Sequence, residues 1–197
     1  MGHRKFQHAA FTLLEILIVV IVIGILAALI IPQLSEAAGD AKVSRLIQLI
    51  DTTRTGVQAH HADTGRLARE FSNSTATHEH QLSIKQEYHN WNGPYFDRPL
   101  SSVENPFGGI VRIYDRFDEG PAHPVGFDLI GRGTDTATGT GQYLLITEIS
   151  ETVAREIDAI LDRGVSGDWR STGRCEWANN SAMVFLMDVH DATSQSP

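Results

Sequence analysis

From Ala10 to Leu34 the chain reads AFTLLEILIVVIVIGILAALIIPQL, a run that is almost wholly apolar and carries a single charge, Glu15. A run of this length spans about 30 Å of hydrocarbon as an α-helix, so the pattern predicts a membrane-spanning helix rather than a buried strand. From Ser35 the sequence turns polar but keeps a helical stripe: Val43, Leu46, Ile47, Ile50, Arg54 and Val57 recur at three- and four-residue spacing, with Lys42, Arg45 and Asp51 off it. The helix is therefore expected to continue past the membrane and dock this stripe on a head, stopping at Gly65. Pro32 removes one backbone hydrogen bond and Gly24 loosens the helix above it, so a kink or local melting is expected between the halves.

Beyond Gly65 the patterning weakens. The stretch RLAREFSNSTATHEHQLSIKQEYHNW predicts surface loop with one turn of helix. Gly-Pro and Asn-Pro-Phe-Gly-Gly turns then precede an alternating strand from Ile110 to Tyr114. Further strands are expected at Val125 to Ile130 and Tyr143 to Ile149. Ser150 is placed to N-cap a second helix, with Val153, Ile157, Ile160 and Leu161 on one face and Gly164 at its end. The tail reads as a hairpin, Arg174 to Trp177, an Asn-Asn turn, and Ala182 to Val189. Together these predict an α+β chain: a long N-terminal helix under a small antiparallel head.

Charge sharpens the picture at the N-terminus. The leading MGHRKFQHAA holds Arg4 and Lys5 and no acid, like the basic region of an export signal, and keeps this end cytoplasmic. An ordinary signal is cut after its apolar core at small residues, yet here the core runs into Ile31 and Pro32, and the small pair Ala9-Ala10 lies before it. Cleavage between Ala10 and Phe11 would leave the apolar helix as the new N-terminus, with a free amine on Phe11. A carboxylate at Glu15 costs a few kcal/mol in lipid unless it sits at the interface, is protonated or meets a cation.

The string FTLLE from Phe11 to Glu15, followed by an apolar helix with Gly24 and Pro32, resembles the N-terminal signal of type IV pilins and type II secretion pseudopilins. The resemblance implies that a prepilin peptidase cuts the Ala10-Phe11 bond, that the amine of Phe11 is methylated, and that Glu15 is needed for assembly. One departure is that the family usually has glycine before the cut, where this chain has Ala10. The segments WNGPYF, ENPFGG and DLIGRGTD are loosely similar to pieces of the major pseudopilin. In a staggered filament the Phe11 ammonium of one subunit and the Glu15 carboxylate of another would form one buried ion pair, and a register that breaks it would strand a charge in low dielectric.

Composition fits an anchored single head. The formal net charge is −8, and without Arg4 and Lys5 there are 14 basic against 24 acidic side chains, or −10, so the basic excess that nucleic acid requires is missing. Cys175 is the only cysteine, which excludes an intramolecular disulfide. His60-His61 and the pair His78 and His80 are too few for a metal site, and exposed surface histidines are expected. The resemblance puts the start of a calcium-binding loop at Gly131 to Gly141, but calcium needs six or more oxygens and the loop supplies Asp135, flanked by Asp128 and Glu148. No cofactor is therefore expected, with calcium at Asp135 and Asp128 the weaker alternative. Cys175 reads as an idle thiol, and no catalytic triad, P-loop or dinucleotide fingerprint is present.

The sequence thus divides into a leader (1–10), a filament-core helix (11–34), its amphipathic continuation (35–64) and a head (65–197). The expected role is structural and non-enzymatic: a type II secretion pseudopilin, with a type IV pilin or minor pilin in adhesion, motility or DNA uptake as the alternative. A third possibility, of another class, is a ligand-binding or enzymatic head merely tethered by such an anchor. Expected partners are further copies and other pilin-like subunits, a prepilin peptidase, and an inner-membrane platform with a cytoplasmic ATPase. The expected location is the bacterial inner membrane, crossed once, with the head in the periplasm and the filament there or at the cell surface.

Overall fold

The computed structural model describes residues 12–116, 126–129, 141–177 and 181–189. The chain divides into two units, Met1–Ala41 and Lys42–Pro197. Helix α1, Leu13–Thr64, runs without interruption through Gly24 and Pro32 and ends where Gly65 takes a φ of +66° that a side chain would resist. In the first unit its apolar residues are exposed on every side, and nothing lies within 4 Å of a Cβ placed on Gly24.

In the second unit α1 becomes one-sided. Val43, Leu46, Ile50, Thr53, Val57 and His60 are buried, a strict alternation of three and four residues that keeps one stripe facing inward. Of the predicted stripe, Val43, Leu46, Ile50 and Val57 are buried and Ile47 is half-buried against the core, while Arg54, also half-buried, uses its guanidinium to donate to the Leu186 carbonyl at 3.4 Å.

The stripe shares a core with one face of a five-stranded antiparallel sheet. Its strands are β1 (Glu70–Phe71), β2 (Val111–Tyr114), β3 (Gly141–Thr147), β4 (Cys175–Trp177) and β5 (Ala182–Val189), in spatial order β1-β2-β3-β5-β4. Val111, Ile113, Leu144, Ile146, Met183 and Phe185 point into this core. Their alternate neighbours Tyr114, Tyr143, Leu145, Val184 and Leu186 form a second core with Phe71 and Phe127 on the opposite face. Both faces are covered, which explains why β3 and β5 read as continuous apolar runs rather than alternating ones. Tyr114 and Tyr143 are cross-strand partners whose rings stack with centroids 5.0 Å apart.

Helix α2, Glu151–Leu161, is capped as expected: the Ser150 hydroxyl accepts from the Val153 N–H, and the helix ends before Gly164, whose φ is +90°. Its buried residues are Ala154 and Ile157, with Val153 and Leu161 packed beside them, whereas Ile160 is 40% exposed and leaves the predicted face. The Asn-Pro-Phe-Gly-Gly turn is a built corner. Asn105 is buried, accepts from the Phe107 N–H at 2.9 Å and donates to the Thr147 carbonyl at 2.9 Å, tying the turn to the end of β3.

Two expectations about this part of the chain are corrected. Residues 126–129 are not a strand: Phe127 is buried in the outer core and the Asp128 carbonyl accepts from Gly173, so the apolar run is packed without joining a ladder. In the stretch after Gly65, one 3-10 turn (Thr77–Glu79) appears, but so does β1, which was not foreseen. Val125, Ile130 and the Asn-Asn turn lie outside the described residues, while the β4–β5 hairpin pairs Cys175 with Phe185 and Trp177 with Met183.

Candidate functional site

The start of α1 is built by two side chains. Thr12 stands just before the helix and Glu15 in its first turn. The Glu15 N–H donates to Thr12 Oγ1 at 3.2 Å, while the Thr12 N–H and hydroxyl donate to Glu15 Oε2 at 3.0 and 3.2 Å. This is a capping box, in which two backbone donors that a helix start leaves unpaired are satisfied reciprocally. Thr-x-x-Glu before an apolar run is its local signature, and it adds a local partner to the interfacial, protonated or cation-paired states expected for Glu15.

After this box comes Leu13–Ile31, a 19-residue span with mean hydropathy 3.3, long and apolar enough to cross a membrane, and none of it buried within the chain. A surface of this kind needs either lipid or other helices of the same character around it. The cleavage and methylation expectations at Ala10 and Phe11 lie outside the described residues, so of the predicted assembly pair only Glu15 is placed.

In the head the predicted chemistry is distributed differently from expectation. His60 and His80 are buried, not exposed, while His78 is exposed and His61 half-buried. The two buried rings lie in separate networks rather than at one metal centre. His60 Nε2 accepts from the Tyr88 hydroxyl at 2.6 Å and its Nδ1 donates to the Arg66 carbonyl at 3.1 Å. Burial lowers its pKa below the usual 6.5, which keeps the ring neutral, and burial likewise pushes Tyr88 up to about 12. Tyr95, in the Gly-Pro-Tyr segment, donates to Asp63 at 2.8 Å and so fastens that segment to the end of α1. His80 pairs instead with the buried Glu70, Nδ1 to Oε1 at 2.8 Å.

Asp135 lies outside the described residues. Asp128 is buried. The described donors that could share a cation are others: Asp158, Asp162 and Cys175 bring one ligand atom each within 4.8 Å of one another. Their hydrogen bonds already account for the gathering. Asp162 Oδ2 accepts from the N–H groups of Arg174 and Cys175, each at 2.8 Å, and from Cys175 Sγ at 3.0 Å. Burial, then the neighbouring Asp162, drives the Cys175 thiol pKa far upward, so it is a buried, unreactive donor.

A polar hollow of about 550 Å³ is lined by Arg66, Leu67, Gln81, Tyr88, Asp115 and Arg116. Its titratable groups are engaged in structural contacts, Asp115 with Arg69 at 2.6 Å and Tyr88 with His60, and they form no nucleophile–base pair.

The span Leu13–Ile31 thus carries one charge, one cap and an apolar surface on all sides, and it is this segment that comparison with known proteins matches. The chain carries the prokaryotic N-terminal methylation motif. The family model of that motif matches residues 5–31. Over 41 residues, 21% of this chain and 29% of the relative, the chain is 50% identical to the type II secretion system core protein G of Pseudomonas aeruginosa. The match thus spans less than a third of that relative's length. No solved structure matches the chain. The methylation motif covers the capping box and the exposed apolar span, and its N-terminal helix joined to a small antiparallel head is the pilin-like α+β arrangement.

Proposed function

We propose that the chain is a filament-forming subunit of the pseudopilin type, working in a type II secretion system. The observation that carries the proposal is the span Leu13–Ile31, apolar on every side with Glu15 as its only charge, inside a segment matched by the methylation motif. A prepilin peptidase hydrolyses the Ala10-Phe11 bond, and the new Phe11 amine is methylated. The helix waits in the bilayer with the head in the periplasm. An inner-membrane platform driven by a cytoplasmic ATPase then adds subunits, and their helices exchange lipid for one another. The apolar surface gains little by that exchange, because lipid is as apolar as its neighbours, so packing and the Phe11–Glu15 charge pair set the register.

A type IV pilin or minor pilin is the second reading, favoured by the length of the head, in which α2, β4 and β5 all follow the DLIGRGTD segment. Intact and N-terminal mass spectrometry of the chain, from cells with and without the cognate prepilin peptidase, tests both. A mature form beginning at N-methylated Phe11, lost without the peptidase, is the expected result. An unprocessed chain, or one cut after Ile31, would remove the assembly mechanism. Loss of cargo secretion, as opposed to loss of surface pili, on deleting the gene separates the two readings.

A further inference from the structure

Glu70 is a wholly buried carboxylate in the edge strand of the sheet, and it is surrounded by donors. Oε1 accepts from His80 Nδ1 at 2.8 Å, Ser83 Oγ at 2.8 Å and the Leu100 N–H at 3.4 Å, while Oε2 accepts from the Leu82 N–H at 3.0 Å. Four donors thus converge on the one carboxylate. His80, 4% exposed, turns its other nitrogen, Nε2, to the Ser74 carbonyl at 3.1 Å. The Ser74 carbonyl can only accept, so Nε2 carries a proton, and opposite a carboxylate Nδ1 carries one too. The arrangement suits an imidazolium paired with a carboxylate.

The same contacts cover an edge. His80 forms a backbone bridge with Glu70, and the Gln81 N–H donates to the Arg69 carbonyl at 2.9 Å, so this segment lies along the side of β1 that no other strand among the described residues pairs. An uncovered strand edge is a template for pairing with another chain, and covering it is a common protection.

We propose that Glu70 and His80 form a proton-operated clasp: while His80 is charged, residues 74–81 are held over the β1 edge, and loss of that proton frees them and bares the edge, with Leu82 staying anchored in the core. A neutral ring has one N–H for two acceptors, so either Glu70 or Ser74 loses its partner. The charged groups facing His80 are Glu70 on β1 and Glu79 in the 3-10 turn, and the packed side chains of Ser83 and Gln86 are neutral. Burial opposes charge on the ring, but the hydrogen bonds to Glu70 and Ser74 and the two carboxylates outweigh it and raise the pKa above the usual 6.5. A group whose folded pKa is raised stabilises fully below its free value and loses that contribution as pH rises through the folded one. The clasp is therefore closed in mild acid and opens towards alkaline pH.

Amide hydrogen exchange of the full-length chain in detergent micelles, read by mass spectrometry between about pH 6 and 9 and corrected for intrinsic exchange, tests the clasp. Protection of the amides of residues 79–81 is expected to fall about tenfold per pH unit from the free histidine value up to the folded one, then level off. Protection of β3 should stay constant, and His80→Gln should abolish the pH dependence at 79–81. Protection that ignores pH in the wild-type chain, an unchanged slope in His80→Gln, or a parallel fall in β3 would each overturn the proposal. Should the variant not fold, an NMR titration of the His80 ring in the wild-type chain decides: protection at 79–81 that falls until the ring's own midpoint and then levels off supports the clasp, and protection lost independently of that midpoint overturns it.

Discussion

Thr12 and Glu15 hydrogen-bond each other in both directions across the first turn of α1, backbone N–H to side chain at 3.2 Å one way and 3.0 Å the other. The one charge of the apolar span therefore has a local task within its own chain. Its carboxylate completes the helix start, where the aligned peptide dipoles favour negative charge.

Two substitutions separate that task from a charge pair between subunits. Glu15→Gln keeps a side chain that can complete a capping box but removes the charge, whereas Thr12→Ala keeps the charge and loses the cap, at a cost of about 1 kcal/mol. Under the proposed mechanism Glu15→Gln subunits fail to assemble and Thr12→Ala subunits assemble at reduced yield, as read by immunoblot of sheared, pelleted filaments. Equal loss in both would assign the role of Glu15 to capping.

Asp158 supplies a pH test in the head. Burial, then the charge of Asp162, pushes its pKa from 3.8 up to about 6. The folded head thus prefers the protonated acid, and ionisation opposes folding: the penalty is absent below the free value, grows as pH rises through the folded one, and is constant above it. Asp158→Asn is expected to stabilise the head at pH 7 by about 1 kcal/mol, allowing for solvent screening, and to have no effect near about pH 4. Urea denaturation at the two pH values measures the difference.

Gly109 marks a close approach of backbone to backbone. A Cβ there would run into the Thr147 carbonyl, at the point where the Thr147 N–H donates to Ile110 at 3.1 Å and the Ile110 N–H to Thr147 Oγ1 at 3.0 Å. Gly109→Ala should cost about 2 kcal/mol, typical of forced overpacking, because backbone cannot rotate away as a side chain can. Gly108→Ala, by contrast, meets open space and is opposed only by its φ of +90°. Thermal melting of the two variants compares crowding with backbone strain.

What the sequence determined by itself is local or periodic. Composition over a long window marked Leu13–Ile31, a repeat of three and four residues marked the inward stripe of α1, and single side chains marked the ends of elements, as Ser150 caps α2 and Gly65 stops α1. The Thr12–Glu15 box is of the same kind and was legible, since both partners lie within one turn. Strands β2, β3 and β5 were readable because each is long enough to show its apolar positions.

Only the tertiary structure decided the rest. β1 has two residues, too few for any period, and exists because β2 pairs with it. The run at 126–129 looks like a strand because it is apolar, yet its apolar residue Phe127 fills the outer core without entering a ladder. His60 and His80 carry no mark in the sequence that separates them from His61 and His78. Their burial depends on Tyr88 and Glu70, which reach them across 28 and 10 residues of chain. Likewise Asp158 and Asp162 are visibly one helical turn apart, but Cys175 joins them only when β4 has paired with β5. A cap is specified by neighbours in the chain. Partners brought together by folding are specified by the whole core, which no single stretch of sequence contains.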